Sequence, residues 1–421
     1  MFFEENNMKK LLTVLFSLSI VLGCTCFAAC ENNGDSGYVP PDEIQNPEDK
    51  VPDEGKDEET PSVPPALPVG FESAFEKEFP TAKHSKEITL SGIAACPVER
   101  TVAGADGAQT SKAYYFVGAY SSSFSRIYVI DENGEDAGHV TLKTSDGNNF
   151  NEKISGIALN NVTLWVSSEN TVYVAKSDNE NSSTDFVNEI IEKAEKRGFL
   201  TLTSSFNANC TTMFLSYFDD SRYSSKTYDR LYIGGKRGES NFMYEYNVSS
   251  SSDNEYGLSV LNEEGLATEH CVPEIQKIFT IPENVRGAAF SARRGYGTND
   301  GTLVLAQNKE NDYSDILCAD WQKIISSSNS SLYTELYEES FVYDGVYITI
   351  GDRTVKYTDT NISVYKVEVN GKTLINKYAA PRSPAGLCVF TPRGANDAAT
   401  KRVFALFEEV ENVYSFIPHE K

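Results

Sequence analysis

The chain has few of the residues from which metal and nucleic-acid sites are built. Its 421 residues include only four histidines, His84, His139, His270 and His419, and so small a number disfavours a multi-histidine zinc site. Lysine and arginine number 37 against 61 aspartates and glutamates, so the net charge is −24. Nucleic-acid phosphates need a basic surface and anionic lipids need a polybasic patch, so both are disfavoured as partners.

Sequence motifs of catalysis are also lacking. The chain has no Gly-x-Ser-x-Gly nucleophile elbow and no His-Glu-x-x-His zinc helix. After residue 30 the cysteines are widely spaced and form no Cys-x-x-Cys pair, and Cys318 and Cys388 lie in apolar runs that favour buried thiols. The acidic run 131–136 has its glycine at the fourth place, not the sixth place of a calcium loop, which favours a solvated turn. No catalytic residue, metal ligand or cofactor is therefore predicted.

The amino-terminal residues have the layout of a secretory signal peptide. Met8-Lys9-Lys10 precedes an uncharged apolar run, residues 11–23, which is shorter than the roughly 20 residues that span a bilayer. The segment ends in Ala28-Ala29-Cys30, followed at once by the polar pair Glu31-Asn32. Small residues before a cysteine resemble the lipobox of bacterial lipoproteins, which implies cleavage after residue 29 and a lipid on Cys30. Cys24 is the alternative lipidation site, and an ordinary cleaved signal is a further alternative.

Residues 31–70 are predicted to form a disordered tether. They carry eleven acidic residues against two lysines and eight of the sixteen prolines. Such a segment cannot bury enough apolar surface to offset the entropy of ordering, and charge repulsion and proline keep it extended. The predicted organisation is a signal peptide over 1–30, this tether, and a folded domain over 71–421. The expected location is the cell envelope, outside the cytoplasm, with the lipid as the only membrane contact.

The rest of the chain reads as short β-strands separated by polar turns, which predicts an all-β fold. Similar segments open successive units around Gly92, Gly156, Gly287 and Gly386, and each is followed by a second and often a third strand. Two weaker units complete the pattern, one from residue 209 to 247 and the other from 339 to 369. Six units of about 59 residues favour a six-bladed β-propeller, in which radial packing buries both faces of each sheet. A pair of β-sandwiches is the competing interpretation.

Two further structural predictions accompany the propeller. Residues 86–90 are expected to close the ring by pairing near residues 412–417. A helix is predicted near 184–198, because Phe186, Val187, Ile190, Ile191 and Ala194 share one helical face. That helix is either a lid over a pocket or, as the pattern favours, an elaboration between strands that packs on the rim.

The blade openings resemble those of NHL, gluconolactonase-like (SMP-30) and strictosidine-synthase-like propellers. The similarity rests on turn-Gly-Ile-Ala followed by a Leu-Tyr/Trp-Val strand, as at Gly92 and Gly156. The gluconolactonase-like resemblance implies a metal-binding glutamate at the start of the first blade strand. Ser91 occupies the matching position here, so the resemblance implies the fold more firmly than lactonase activity.

The candidate ligand site is the mouth of the propeller channel. Turns at the blade openings would bring Ser91, Ser155, Arg286 and Arg382 near the axis, where two arginines could bind a carboxylate or another anion. Alternatively each arginine pairs with a nearby acid, such as Glu283. Trp321, beside Asp320 and Gln322, is the candidate stacking surface for a sugar.

These features predict a lipid-anchored bacterial surface protein that binds an unknown extracellular ligand or envelope protein without catalysis. Two alternatives remain at this point. One is a diverged hydrolase of the gluconolactonase-like class, which rests on similarity of fold. The other is a structural scaffold in an envelope complex.

Overall fold

The structure is a computed structural model. It describes residues 67–81, 87–101, 109–177, 186–218, 229–249, 254–261, 272–292, 301–309, 313–326, 342–343, 347–350, 353–356, 363–367, 369, 371–390 and 402–418. All of them lie within one compact unit, Val63–Lys421. The predicted signal peptide, Cys30, Cys24 and the tether up to residue 66 lie outside the described residues, so these predictions remain predictions.

Five sheets of four or five strands form the blades of a β-propeller. The first blade contains β2 (Thr89–Thr101), β3 (Gln109–Tyr120), β4 (Ser125–Asp131), β5 (Asp136–Lys143) and β9 (Phe199–Thr201). The second contains β6 (Gly156–Leu159), β7 (Thr163–Ser168), β8 (Thr171–Lys176) and β10 (Ser204–Asn207). The third contains β11 (Thr211–Phe218), β12 (Arg230–Arg237), β13 (Ser240–Asn247), β16 (Ile275–Thr280) and β23 (Ser363–Lys366). The fourth contains β17 (Val285–Ala292), β18 (Gly301–Gln307), β19 (Ser314–Asp320) and β24 (Leu374–Ala380). The fifth contains β25 (Pro384–Phe390), β26 (Arg402–Phe407), β27 (Asn412–Phe416) and β1 (Glu76–Pro80).

The inner strands of the five blades close into a ring. In chain order β2 contacts β6, β6 contacts β11, β11 contacts β17, and β17 contacts β25, which returns to contact β2. A separate hydrophobic cluster fills each of the five spaces between neighbouring blades. Radial closure of this kind is incompatible with a pair of β-sandwiches, whose sheets stack as layers.

Successive side chains of a strand pack alternately into the hydrophobic clusters on the two sides of its blade. In β26, Val403, Ala405 and Phe407 pack in the cluster shared with the fourth blade. Phe404 and Leu406 point the other way, into the cluster shared with the first blade. Successive side chains of a strand lie on opposite faces, so a strand buried on both faces reads as a continuous apolar run.

The prediction of six blades is wrong, because the unit predicted over residues 339–369 is an insertion. It contains β20 (Val342–Tyr343), β21 (Tyr347–Ile350) and β22 (Arg353–Lys356), which form a separate three-stranded sheet. The next strand, β23, adds in parallel to β16 of the third blade. All four strands fall between β19 and β24, the two outer strands of the fourth blade. Short strands occur in the described part of the insertion as in a blade, but none of these strands enters the ring of inner strands.

The ring is closed by a strand earlier in the chain than predicted. The predicted carboxyl-terminal partner is confirmed, but it pairs with β1, with Glu76 opposite Ser415 and Lys77 opposite Tyr414. Residues 89–90 of the expected segment instead begin the inner strand β2. Only Phe79 of β1 is buried. A single apolar residue among charged ones is the pattern of an edge strand, and it gives little signal in a sequence.

Three short helices and one small hairpin accompany the blades in the described residues. They are α1 (Phe71–Ala74), α2 (Phe186–Glu195), α3 (Trp321–Ser326), and the pair β14 (Val260–Leu261) and β15 (Val272–Pro273). The helix α2 confirms the helix predicted near residues 184–198, and all five of its predicted apolar residues are buried. It packs on the outer part of the first blade next to β5, where a Cβ on Gly138 would lie 2.1 Å from the Ala194 carbonyl oxygen. The helix is therefore an elaboration between strands, as the pattern favoured, and not a lid.

Four of the cysteines are buried, namely Cys96, Cys210, Cys318 and Cys388. Burial raises the pKa of the Cys318 thiol to about 12, and it also raises the pKa of the Cys388 thiol. These two residues confirm the prediction of inert, buried thiols. Among the described residues, no helix is both long enough and apolar enough to cross a membrane.

Candidate functional site

A cavity of about 470 Å³ lies where the five inner strands begin. Its volume falls in the range of roughly 300–1,000 Å³ that is usual for small-molecule sites. Each blade contributes one residue from the corresponding position at the start of its inner strand: Ser91, Ser155, Met213, Arg286 and Ala385. Since all five blades meet here, we call this space the axial cavity.

Irregular strand pairing turns these residues toward the axis. In four blades the register between the inner and second strands shifts at this level, at Leu90/Ile93, Thr212/Phe214, Val285/Gly287 and Pro384/Gly386. In the second blade, Ser155 immediately precedes β6 and donates its backbone N–H to the Ser167 carbonyl at 2.8 Å. A bulge adds one residue to a strand and re-aims its side chain, so the repeated irregularity builds the cavity wall.

Glycine is needed where neighbouring inner strands approach most closely. Gly92 has a positive φ of 84°, and a Cβ there would lie 2.6 Å from the Ile157 backbone nitrogen. A Cβ on Gly386 would lie 2.9 Å from the Gly92 Cα. No side chain fits between these backbones. The blade-opening glycines therefore set the spacing of the ring, which confirms that they converge near the axis.

A second set of wall residues comes from the ends of the second strands. These are Tyr120, Glu169, Asn308 and Glu408. Glu408 donates its backbone N–H to the Ser383 carbonyl at 2.9 Å, and the Thr212 hydroxyl donates to the Glu169 carbonyl at 2.8 Å.

Two wall residues hold unfavourable backbone conformations. Glu169 has a φ of 47° and Ser383 has a φ of 51°, both in the left-handed region that non-glycine residues rarely occupy. Such conformations cost of order 1–3 kcal/mol each and tend to cluster at binding sites.

Four charged residues of mixed sign line the cavity: Lys153, Arg286, Glu169 and Glu408. None of them belongs to an ion pair with another described residue within 4.0 Å. The side chain of Glu408 reaches solvent, yet the walls around it desolvate the carboxyl, which raises its pKa above the ordinary value. Arg286 and then Lys153 oppose that rise electrostatically, while Glu409 adds to it.

Three of the five predicted site residues come together in this cavity. Ser91, Ser155 and Arg286 all line it. The predicted alternative partner of Arg286, Glu283, is not in an ion pair with it within the described residues. Arg382 is exposed and does not line the cavity, although the next residue, Ser383, does.

Trp321 is not a surface residue. It begins α3, is 8% exposed, and packs with Phe279 and Phe290 at centroid distances of 5.0 and 4.9 Å. Its polar neighbours in sequence suggested exposure, but the first turn of the helix directs the ring into the core between the third and fourth blades. Trp321 therefore cannot stack on a ligand in the axial cavity, which corrects the prediction.

Sequence reasoning missed Lys153, Glu169, Glu408 and Met213. Met213 occupies the blade-opening position of the third blade, but the next residue is Phe214 and not glycine, so the repeat was hidden. Lys153 lies two residues before Ser155, and Glu408 directly follows β26. No repeated charge marks these positions, because the residues at the ends of the second strands in the first and fourth blades are Tyr120 and Asn308.

The described residues contain no group of three or more His, Cys, Asp or Glu side chains arranged to hold a metal ion. The run 131–136 forms the turn between β4 and β5, as predicted. Asp131 Oδ1 accepts the backbone N–H groups of Asn133 and Glu135, each at 2.9 Å. The charged and hydroxyl-bearing residues that line the axial cavity can form ion pairs and hydrogen bonds with a ligand.

No protein-family model matches the chain, and no curated protein sequence matches it significantly. The chain is accordingly characterised by its β-propeller fold and by the residues of the axial cavity.

Proposed function

We propose that this protein is a bacterial cell-envelope lipoprotein whose propeller binds a small extracellular ligand in the axial cavity without transforming it. The observation that carries the proposal is the convergence of one residue from every blade on a single cavity. Four charged residues that form no ion pair within 4.0 Å with another described residue also line that cavity. Unpaired charges in a concave site are available to a ligand.

The sequence that precedes the propeller supports the location. The Ala28-Ala29-Cys30 segment supplies the lipidation signal, and the acidic, proline-rich residues 31–70 supply a spacer. At about 3 Å per residue, a 40-residue extended spacer reaches on the order of 100 Å. It would carry the binding domain well clear of the membrane.

Binding is favoured over hydrolysis by the residue at the start of the first blade. Ser91 lines the axial cavity at the position where the gluconolactonase-like resemblance implies a metal-binding glutamate. A serine hydroxyl is a weak ligand for a divalent cation, since hard cations prefer carboxylates. We therefore propose that the similarity to NHL, gluconolactonase-like and strictosidine-synthase-like propellers is limited to the blade openings. We do not propose that this protein shares their chemistry.

Lipidation is tested by expressing the full chain in a bacterial host supplied with a labelled fatty acid. We expect label on the membrane fraction for the wild-type chain and for Cys24→Ala, and loss of both label and membrane association for Cys30→Ala. Labelling that survives in Cys30→Ala and is lost in Cys24→Ala would show that the lipid is attached to Cys24. An unlabelled wild-type chain would contradict the envelope-lipoprotein assignment.

Binding in the cavity is tested by thermal unfolding of the full chain against sugars, sugar acids, amino acids and nucleosides. A ligand that binds only the folded state raises Tm. We expect at least one class to do so, and we expect Ser91→Trp, which fills the cavity, to abolish the shift. Arg382→Gln is the matched control outside the cavity, and the ligand should still raise its Tm. No shift from any class, together with a stable crosslinked protein partner, would favour the scaffold alternative.

A further inference from the structure

The four charges of the axial cavity alternate in sign around the ring. Arg286 belongs to the fourth blade and Glu408 to the fifth. Lys153 and Glu169 belong to the second blade, where they precede β6 and follow β7 at the same end of that antiparallel pair. The Lys153 Nζ lies 5.8 Å from the ring centroid of Tyr120, which is in the first blade. Lys153 therefore extends back over the first blade, and Glu408 lies between two cations.

Both cations act on Glu408, yet neither forms an ion pair with it. Arg286 and Lys153 each lower the pKa of the Glu408 carboxyl, although no described ion pair within 4.0 Å joins it to either cation. The charges share one cavity and are held apart by the five-bladed frame. A guanidinium that is not in contact with a carboxylate keeps its forked set of N–H donors for another one.

The rest of the wall is rich in hydroxyl groups. Four of the blades contribute a serine or a threonine, namely Ser91, Ser155, Thr89, Thr211 and Ser383. Hydroxyls both donate and accept hydrogen bonds, so they complement the hydroxyls of a carbohydrate. The two cations are balanced by two carboxylates, which favours a ligand with a single negative charge over a phosphate monoester with nearly two.

We propose that the axial cavity binds a small hydroxylated monocarboxylate, with its carboxylate between Arg286 and Lys153 and its hydroxyls on the serine and threonine wall. This inference rests on the proposed function and names the ligand class of the same site.

The bound carboxylate would stand near Glu408, with which it shares the two cations. Two anions in one small site repel, so binding favours the protonated form of Glu408. The other titratable or charged groups that face this region are Arg286, Lys153, Glu409, Glu169 and Tyr120. Affinity for the ligand should therefore rise as the pH falls through the raised pKa of Glu408, with uptake of a proton on binding.

The experiment is isothermal titration of the full chain in detergent with three matched probes, D-glucuronate, D-glucose and D-glucose 6-phosphate. Glucuronate and glucose differ only in the group at one carbon, a carboxylate in place of a hydroxymethyl. We expect glucuronate to bind at least about tenfold more tightly than glucose, because glucose lacks the carboxylate that pairs with Arg286. We also expect it to bind more tightly than glucose 6-phosphate, because the carboxylates of the cavity oppose a phosphate with nearly two negative charges more strongly than a single carboxylate.

Variants separate the contributions of the charges. Arg286→Gln should weaken glucuronate binding by at least about tenfold. Arg286→Lys should bind glucuronate more tightly than Arg286→Gln but less tightly than the wild-type chain, since lysine keeps the positive charge but lacks the forked N–H donors of arginine. Arg382→Gln, outside the cavity, should bind like the wild-type chain. Glu408→Gln should bind more tightly than the wild-type chain above the raised pKa of Glu408, and its affinity should no longer depend on pH through that range. Unfolding curves of each variant show that it is folded.

The two proposals fail in different ways. Equal affinity for glucose and glucuronate, or an Arg286→Gln chain that binds glucuronate normally, overturns the ligand class and leaves binding in the cavity intact. If none of the three probes binds, the ligand class is again wrong, and the thermal-shift panel with Ser91→Trp decides the proposed function by itself.

Discussion

Two groups of charged side chains in this protein use similar residues in opposite ways. In the third blade, Glu245 is 1% exposed and lies in an ion pair with Arg230, while Lys277 Nζ is 2.7 Å and the Tyr232 hydroxyl 2.9 Å from its carboxylate oxygens. In the axial cavity, Arg286, Lys153, Glu169 and Glu408 share a concave surface without ion pairs to other described residues.

The difference follows from where each group lies in a blade. Arg230, Glu245 and Lys277 come from β12, β13 and β16, neighbouring strands of one sheet whose spacing of about 4.8 Å brings their side chains together. The cavity charges come from three different blades, and the ring holds them apart. Charges satisfied within a sheet stabilise that sheet, whereas charges held apart at the axis remain available to a ligand.

The largest expected effect is at the buried carboxylate. Glu245→Ala leaves Arg230 and Lys277 without their shared partner, and we expect the free energy of unfolding to fall by about 3 kcal/mol. Urea unfolding measures it. The matched control is Glu239→Ala in the same blade, whose fully exposed carboxylate lies 3.9 Å from Lys236 and should contribute nothing measurable. Equal stability of the two variants would remove the distinction between the two groups of charges.

An intermediate effect is expected where the ring closes. Arg402 lies 2.7 Å from Glu76 Oε2, and its Nε donates to the Ser415 hydroxyl at 2.6 Å, which ties β1 to the fifth blade. Because this network is partly exposed, Arg402→Gln should lower stability by about 1 kcal/mol. Hydrogen exchange should accelerate in residues 76–80 in particular. Lys323→Gln, which removes an exposed pair with Asp320, is the control and should leave that exchange unchanged.

The smallest effect on stability is expected in the axial cavity. Folded Glu408 has a raised pKa, so between its ordinary and its raised pKa the folded state holds more protons than the unfolded state. Stability contributed by Glu408 therefore falls as the pH rises through that window. Glu408→Gln should be as stable as the wild-type chain or slightly more stable at neutral pH, with the difference vanishing below the ordinary pKa. A clearly destabilised Glu408→Gln chain at neutral pH would show that this carboxylate is structural.

Part of the candidate site could be predicted from the repeat. Each of Ser91, Ser155 and Arg286 directly precedes a blade-opening glycine. Residues at the same position of successive repeats lie at equivalent places around the propeller axis, so their convergence could be predicted. Lys153 and Glu408 lie in connections between strands, where no repeat constrains the sequence. Trp321 was misplaced because its polar neighbours, Asp320 and Gln322, do not reveal which way the first turn of a helix faces.

The number of blades could not be read from the strands alone. The described part of the insertion contains β20 to β22, which pair as short antiparallel strands, as the strands of a blade do. What makes a blade is an inner strand that contacts the inner strands on both sides, and that contact joins residues far apart in the chain. The closing strand β1 was missed for a related reason, since four of its five residues are exposed.

The sequence by itself determined which segments become strands, that most of them are buried on both faces, and that small residues lie where the blades converge. These properties follow from local sterics and from the alternation of side chains along a strand. Only the tertiary structure decided that five sheets close the ring, that residues 76–80 complete it, and that oppositely charged side chains face one cavity without pairing. These outcomes depend on hydrogen bonds and packing between segments that are distant in the chain. Such contacts produce no repeating pattern in the sequence from which they could be predicted.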